Sequence, residues 1–103
     1  MDDNRLFKRF KKNNLIKLCV SDKEFFGNLE DISMMGCSIK TENKLQIGED
    51  IVLESYFFSE KLPCEVLRLN QDGEENKYGL RFNNLSENIV KEIYDLITVN
   101  ENS

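Results

Sequence analysis

The sequence contains no histidine and no tryptophan, one proline and three cysteines. Histidine is the most common general base of enzymes and a frequent metal ligand. Its absence therefore argues against histidine-based catalysis and against the usual zinc sites. Cys19, Cys37 and Cys64 have no CxxC spacing. They are therefore expected to be reduced thiols that pack as small hydrophobic groups. We expect no metal site and no cofactor.

Long apolar segments and catalytic motifs are also missing. No apolar run approaches the roughly 18 residues of a membrane-spanning helix, and the first residues lack the pattern of a secretory signal. We therefore expect no membrane insertion and a cytoplasmic location. Neither a GxSxG elbow nor a P-loop occurs, and no cysteine has an identifiable activating base. The sequence is not expected to encode an enzyme.

The formal net charge of −5 is unevenly distributed along the chain. Residues 4–18 carry six basic side chains and no acidic one, whereas the rest of the chain is acidic. Nucleic-acid binding requires a broad basic surface, so an acidic body argues against a DNA or RNA partner. A compact basic block suits a small anion instead.

Alternation of apolar and polar residues predicts six short strands. One amphipathic helix is predicted at residues 86–98, with Ser86 as its N-cap. In the fifth strand, Cys64, Val66 and Arg68 are expected to share one face. These elements predict an all-β fold, a small antiparallel barrel with the helix over an open end or face. The predicted strands are residues 14–20, 24–33, 36–40, 51–58, 62–70 and 77–82.

The basic stretch RLFKRFKK at residues 5–12 has three interpretations. These residues could form a short amphipathic helix or arm whose apolar side docks on the protein. The same apolar side could instead lie on anionic lipid, although one or two turns offer very little apolar area. Alternatively, Arg5 and Arg9 could clamp a ligand, because a guanidinium binds guanine O6 and N7 and also pairs with phosphate.

A second stretch, DISMMG at residues 31–36, combines an aspartate, a serine and a glycine. Asp31 and Ser33 are two apart at a strand end, so both side chains lie on one face. They could satisfy a tight turn, or they could bind the N–H and hydroxyl groups of a ligand. Gly36 allows a positive φ or a close approach to the backbone.

Together, the motifs RxxxR at Arg5 and Arg9 and DxSxxG at Asp31, Ser33 and Gly36 resemble the PilZ domain, a bacterial receptor module for cyclic di-GMP. The segments IGEDIVLE, CEVLRLN and YGLRFNNLSE extend the resemblance over about the whole chain. It implies a six-stranded antiparallel β-barrel with a C-terminal α-helix. It also implies that the two arginines grip guanine edges and phosphates and that the DxSxxG residues form the facing wall. Possible secondary phosphate contacts are Lys8 and Lys11.

The resemblance implies a bacterial receptor or adaptor that changes conformation on binding cyclic di-GMP and signals through a protein partner. Residues 1–13 are expected to be a flexible arm, residues 14–99 the barrel and helix, and residues 100–103 a frayed tail. Many PilZ domains have a further arginine before RxxxR, and Asn4 at that position favours one bound ligand. Two alternatives remain open, a PilZ-like protein-interaction module without nucleotide and a barrel for single-stranded nucleic acid. The second would need aromatic platforms beside a basic groove.

Overall fold

Strands form most of the computed structural model, which describes residues 7–11, 14–72 and 75–98. In chain order they are followed by a single helix. The elements are β1 (Phe7–Arg9), β2 (Leu15–Val20), β3 (Lys23–Ser33), β4 (Gly36–Thr41), β5 (Asp50–Glu54), β6 (Leu62–Asp72), β7 (Glu75–Phe82) and α1 (Glu87–Thr98).

Six of the strands close into a barrel. The hydrogen-bonded order is β3-β2-β5-β6-β7-β4, and β4 pairs back onto β3, so that no strand of this ring has a free edge. Every pairing is antiparallel. The six-stranded antiparallel barrel with a C-terminal helix, predicted from the sequence, is confirmed. The short strand β1 is an addition that pairs with β3 alone.

The barrel interior is filled by aliphatic side chains that alternate with exposed ones along each strand. Such alternation places every second residue on the inner face. Tyr78 is the largest fully buried side chain, and its hydroxyl accepts a hydrogen bond from the Leu45 N–H at 2.8 Å. The buried hydroxyl of Tyr78 therefore has a hydrogen-bond partner inside the core. Other core residues include Ile16, Leu18, Leu29, Ile32, Ile39, Ile51, Leu53, Leu62, Val66 and Leu80.

The helix α1 buries one face through Ile89, Ile93 and Ile97, spaced at four residues. Its nearest strands are β1 and β3. The Ser86 hydroxyl accepts from the Ile89 N–H at 3.1 Å, which confirms Ser86 as the N-cap. Within the ranges that the structure describes, no helix is long and apolar enough to cross a membrane.

The predicted strand over residues 51–58 is too long, because β5 ends at Glu54. Ser55 turns the chain, since its hydroxyl accepts from the Phe57 N–H at 3.0 Å and its carbonyl accepts from the Phe58 N–H at 3.2 Å. A serine that bonds to nearby backbone groups competes with strand pairing. The apolar residues after it then pack as a loop.

Strand β6 contains an irregularity that overturns the predicted position of Arg68. Val66 pairs with Leu80 and Arg68 pairs with Gly79, so Leu67 is an extra residue in the ladder. A bulge of this kind reverses the alternation beyond it. Val66 remains in the core, whereas Arg68 lies exposed on the outer face instead of sharing the face of Cys64 and Val66.

Candidate functional site

The basic stretch reaches the barrel through β1, which lies along the same edge of β3 as β2 does. Residues 7–9 pair with the last three residues of β3, and β2 pairs with its first six. The Phe10 N–H extends the pairing by donating to the Glu30 carbonyl at 2.8 Å. Part of the expected flexible arm is therefore a strand in this structure. Its mobility stays a prediction, and Arg5 lies outside the described residues.

A row of side chains crosses the outer face of the barrel over five strands. Arg9 pairs with Asp31, Asp31 with Ser38, Ser38 with Gly79, and Gly79 with Arg68. Directly paired residues point to the same face of a sheet. Because their neighbours Ile32, Ile39, Tyr78 and Leu80 are buried in the core, this row points outward. We call these five residues the outer row.

Beside the outer row, the hairpin between β3 and β4 is closed by the serine of the DxSxxG motif. The Ser33 hydroxyl accepts from the Met35 N–H at 3.2 Å and donates to the Gly36 carbonyl at 3.3 Å. The turn interpretation of this serine is therefore supported by its contacts. Its hydroxyl also remains only half-buried at the surface.

Gly36 occupies a position where two backbones touch. A Cβ atom on Gly36 would lie 2.0 Å from the Leu80 carbonyl oxygen on β7. Its φ is not among the positive values of the described residues. Close approach, rather than an unusual backbone conformation, explains why glycine stands here.

These residues surround an open cavity of about 310 Å³ on the outer face. It contains the whole predicted wall, Asp31, Ser33 and Gly36, and it extends across β4 and β7 to the bulge in β6. Clefts of this size are within the range used for small-molecule ligands. The other lining residues are Met35, Cys37, Ser38, Leu67, Arg68, Gly79, Leu80 and Arg81.

Charge within the cavity is unevenly compensated. Arg81 forms an ion pair with Glu65 on the neighbouring strand. Among the described residues, no carboxylate pairs with Arg68, while Asp31 supplies an acceptor three strands away. The cavity therefore offers one acceptor and one available planar cation to an incoming molecule.

Two thiols near this region are unsuited to nucleophilic chemistry. Burial raises the pKa of the Cys37 thiol well above its ordinary value, and it raises the pKa of Cys64 to about 12. Only a thiolate is a strong nucleophile, so both groups are inert at neutral pH. Their burial agrees with the predicted packing role.

Lys8 and Lys11 of the basic stretch do not join Arg9 in the outer row. Lys8 pairs with the buried Ile32, and its ammonium lies 5.9 Å from the centre of the Phe10 ring. Lys8 is thus on the opposite face of β1. Lys11 is exposed just beyond the strand. Their role as secondary phosphate contacts stays a prediction.

Sequence reasoning missed three residues of the outer row, Ser38, Gly79 and Arg68. Strand alternation could have found Ser38, which stands two residues after Gly36 and therefore on the same face. Arg68 carried no such signal, because the bulge that turns it outward arises from pairing between distant strands. Gly79 matters to the site because the Arg68 side chain lies over it, and this contact could not be predicted from the sequence.

Comparison with known proteins places this architecture in one family. The PilZ domain family matches residues 3–98 of the chain. A search of curated proteins found no match. Among solved structures, the PilZ domain of YcgR from Escherichia coli with c-di-GMP has a TM-score of 0.68 and 15% identity, over 92% of this chain and 89% of that chain.

Two longer proteins share the fold. The Bacillus subtilis inhibitor of motility, MotI/DgrA, has a TM-score of 0.70 and 16% identity over 92% of this chain and 50% of its own. The K. pneumonia MrkH–c-di-GMP complex has a TM-score of 0.72 and 12% identity over 87% of this chain and 48% of its own. The chain thus spans about half the length of each. On the match over residues 3–98 and the shared barrel, the protein belongs to the PilZ domain family.

Proposed function

We propose that this protein is a bacterial cytoplasmic receptor for cyclic di-GMP that passes its signal to a protein partner. The carrying observation is the pairing of Arg9 with Asp31 on the outer face, beside a cavity that also contains Ser33 and Gly36. Solved structures of family members, YcgR and MrkH, hold c-di-GMP. Those complexes support the same ligand class for this chain.

The chemistry of the site matches a guanine dinucleotide. A guanidinium donates two hydrogen bonds at once to guanine O6 and N7 or to a phosphate, whereas a lysine acts as a point charge. A carboxylate such as Asp31 accepts from the guanine N–H groups. We therefore assign Arg5 and Arg9 to grip guanine edges and phosphates, and Asp31, beside Arg9 on the neighbouring strand, to accept from guanine N–H groups.

Signalling requires that ligand binding at the arm alters a surface. Arg9 is followed by Phe10, whose ring lies 5.0 Å from that of Phe57 in the loop after β5. This loop also exposes Tyr56, which is 72% accessible and lies 4.5 Å from Phe57. A shift of the arm on ligand binding would therefore first change the packing of this aromatic loop at the surface.

The same loop is fastened to the helix. Glu92 of α1 accepts hydrogen bonds from the Ser59 hydroxyl and from the Ser59 N–H at 2.9 Å. The hydrogen bonds from the Ser59 side chain and backbone hold the pKa of Glu92 below its ordinary value, because they stabilise the ionised carboxylate. We infer a route from Arg9 through Phe10 and Phe57 to α1, along which a protein partner reads the bound state.

Isothermal titration of the purified protein with cyclic di-GMP tests the receptor proposal, with GTP and cyclic AMP as controls. Selective saturable binding is expected. Because Asn4 stands where many PilZ domains have a further arginine, we expect one ligand per chain. No heat with cyclic di-GMP, or equal heat with GTP, would reject the proposal.

The route to the helix is tested by Phe57→Ala. Hydrogen exchange of α1 amides should change on ligand binding in the wild type, and that change should fall at least by about half in the variant, because the ring contact with Phe10 is lost. Affinity itself should shift little. Tyr56→Ala, which removes an exposed neighbouring ring, serves as the control. An undiminished exchange response in Phe57→Ala would rule out this route.

A protein-interaction module without nucleotide binding is the second candidate. It is favoured by the structural duties of two motif residues, since Ser33 closes a hairpin and Gly36 permits strand packing without any ligand. Arg9 has no such duty among the described contacts and is exposed. The titration above separates the two candidates, because only a receptor binds the dinucleotide.

A further inference from the structure

Arg68 rests across a glycine at the far end of the outer row. A Cβ atom on Gly79 would lie 3.0 Å from Cζ of Arg68 and 3.2 Å from both Cγ and Nη1. The arginine side chain therefore lies along the barrel surface over Gly79. A Cβ at Gly79 would be in tight contact with it, so the guanidinium would have to shift by a few tenths of an ångström. The bulge at Leu67 turns Arg68 outward, and the missing side chain of Gly79 leaves space for its guanidinium in the cavity wall. We call this position of the guanidinium the seat.

The charge of Arg68 is available, in contrast to that of its neighbour. Arg81 lines the same cavity but is neutralised by Glu65. Arg68 has no ion pair within the part of the chain described by the structure. A planar cation held in place but left without a partner is a favourable group for an incoming acceptor.

Apolar groups beside Arg68 indicate which part of a ligand it meets. Met35 is 74% exposed and Leu67 is 40% exposed, and both line the cavity. Exposed apolar groups gain from contact with a flat base, whereas a phosphate gains nothing from them. Guanine offers both properties, an apolar ring face and a Hoogsteen edge with two acceptors.

We propose that Arg68 is a specificity-determining ligand residue, which binds O6 and N7 of the second guanine while Arg9 and Asp31 hold the first half of the dinucleotide. This inference rests on the proposed cyclic di-GMP function. Arg9 and Arg68 are four strand spacings apart, about 19 Å along the sheet, and the cavity lined by Asp31 and Arg68 lies between them. A ligand with two guanines provides one group for each end.

Titration of Arg68→Ala with cyclic di-GMP gives the first test. Affinity should fall about 10-fold to 100-fold, as expected for a lost charge-assisted hydrogen-bond pair. Arg68→Lys should recover little, because lysine lacks the planar fork. Lys91→Ala, which removes an equal charge from the exposed face of α1, should bind as the wild type does.

Gly79→Ala tests the seat without removing the charge. Its Cβ would contact only the flexible Arg68 side chain among its nearest neighbours, so the fold should persist while the guanidinium is displaced. We expect affinity to fall at least about fivefold in the wild-type background and not at all in Arg68→Ala, a non-additive cycle. Additive effects would contradict the proposed seat.

Cyclic GMP-AMP, with one adenine in place of a guanine, separates base contact from phosphate contact. Adenine presents an N6 donor where guanine presents O6, so Arg68 should disfavour it. The wild type should prefer cyclic di-GMP, and Arg68→Ala should lose most of that preference. Equal weakening of both ligands would overturn the guanine contact. Unchanged affinity in Arg68→Ala, with binding lost in Arg9→Ala, would overturn the inference and leave the receptor proposal standing. No binding by the wild type would overturn both.

Discussion

Replacing Arg9 with alanine is expected to abolish cyclic di-GMP binding while leaving the fold intact. Arg9 is the direct cross-strand neighbour of Asp31 on the outer face, so its replacement removes the proposed cationic donors beside that carboxylate. Charge-assisted bidentate contacts are worth about 3 kcal/mol or more, which corresponds to at least about 100-fold in affinity. Isothermal titration measures the affinity. A thermal melt should show little change, because exposed substitutions usually stay within about 0.5 kcal/mol.

Matched variants separate a specific contact from general attraction by the basic stretch. Arg9→Lys keeps the charge but loses the fork, and most of the affinity should be lost with it. Lys8→Ala removes a charge from the opposite face of β1 and should lower the affinity for cyclic di-GMP only a few-fold. Wild-type affinity in Arg9→Ala would refute the assigned site, and an equal loss in Lys8→Ala would show that only local charge matters.

The fold was predictable because its elements are encoded locally. Alternating apolar residues in β2 and β4 indicate strands with one buried face, and the spacing of Ile89, Ile93 and Ile97 indicates the helix. The helix start could also be predicted, since Ser86 is an N-cap whose hydrogen bond spans only three residues. Local signals of this kind need no knowledge of the partner strands.

Features produced by pairing between distant strands could not be predicted. The strand β1 exists because β3 extends beyond the end of β2 and leaves an edge for residues 7–9. The bulge at Leu67 depends on the register between β6 and β7, and it moves Arg68 from the expected inner face to the cavity. Residue type alone carries neither piece of information.

The predicted wall shows the same division between local and distant causes. Asp31 and Ser33 were expected on one face from their spacing, and both line the cavity. Gly36 also lines it, but the reason for a glycine is the Leu80 carbonyl on β7, which the sequence does not place beside it. The DxSxxG pattern therefore combines the proposed ligand contact of Asp31 with an observed packing requirement at Gly36. These two requirements lead to different consequences when each residue is replaced.

Gly36→Ala is accordingly expected to destabilise the whole barrel. Its Cβ would lie 2.0 Å from a backbone oxygen, far inside normal contact, and a backbone atom cannot move aside as a side chain can. Strands β4 and β7 would have to separate at the point where Gly36 pairs with Arg81. We expect a loss of about 3 kcal/mol in the free energy of unfolding, seen as a decrease in Tm of roughly 15 °C.

Other glycines of the chain provide a graded control for this effect. A Cβ on Gly27 would lie 2.6 Å from the Lys40 carbonyl oxygen, whereas the nearest atoms around Gly79 belong to the flexible Arg68 side chain. The loss of stability should therefore decrease from Gly36→Ala to Gly27→Ala to Gly79→Ala. A near-wild-type Tm in Gly36→Ala would contradict the packing explanation and leave ligand contact as the reason for this glycine. If the order holds, any loss of ligand binding seen in Gly36→Ala is explained by displacement of Asp31 and Ser33 from their positions, whereas the loss expected in Arg9→Ala is explained by a missing contact.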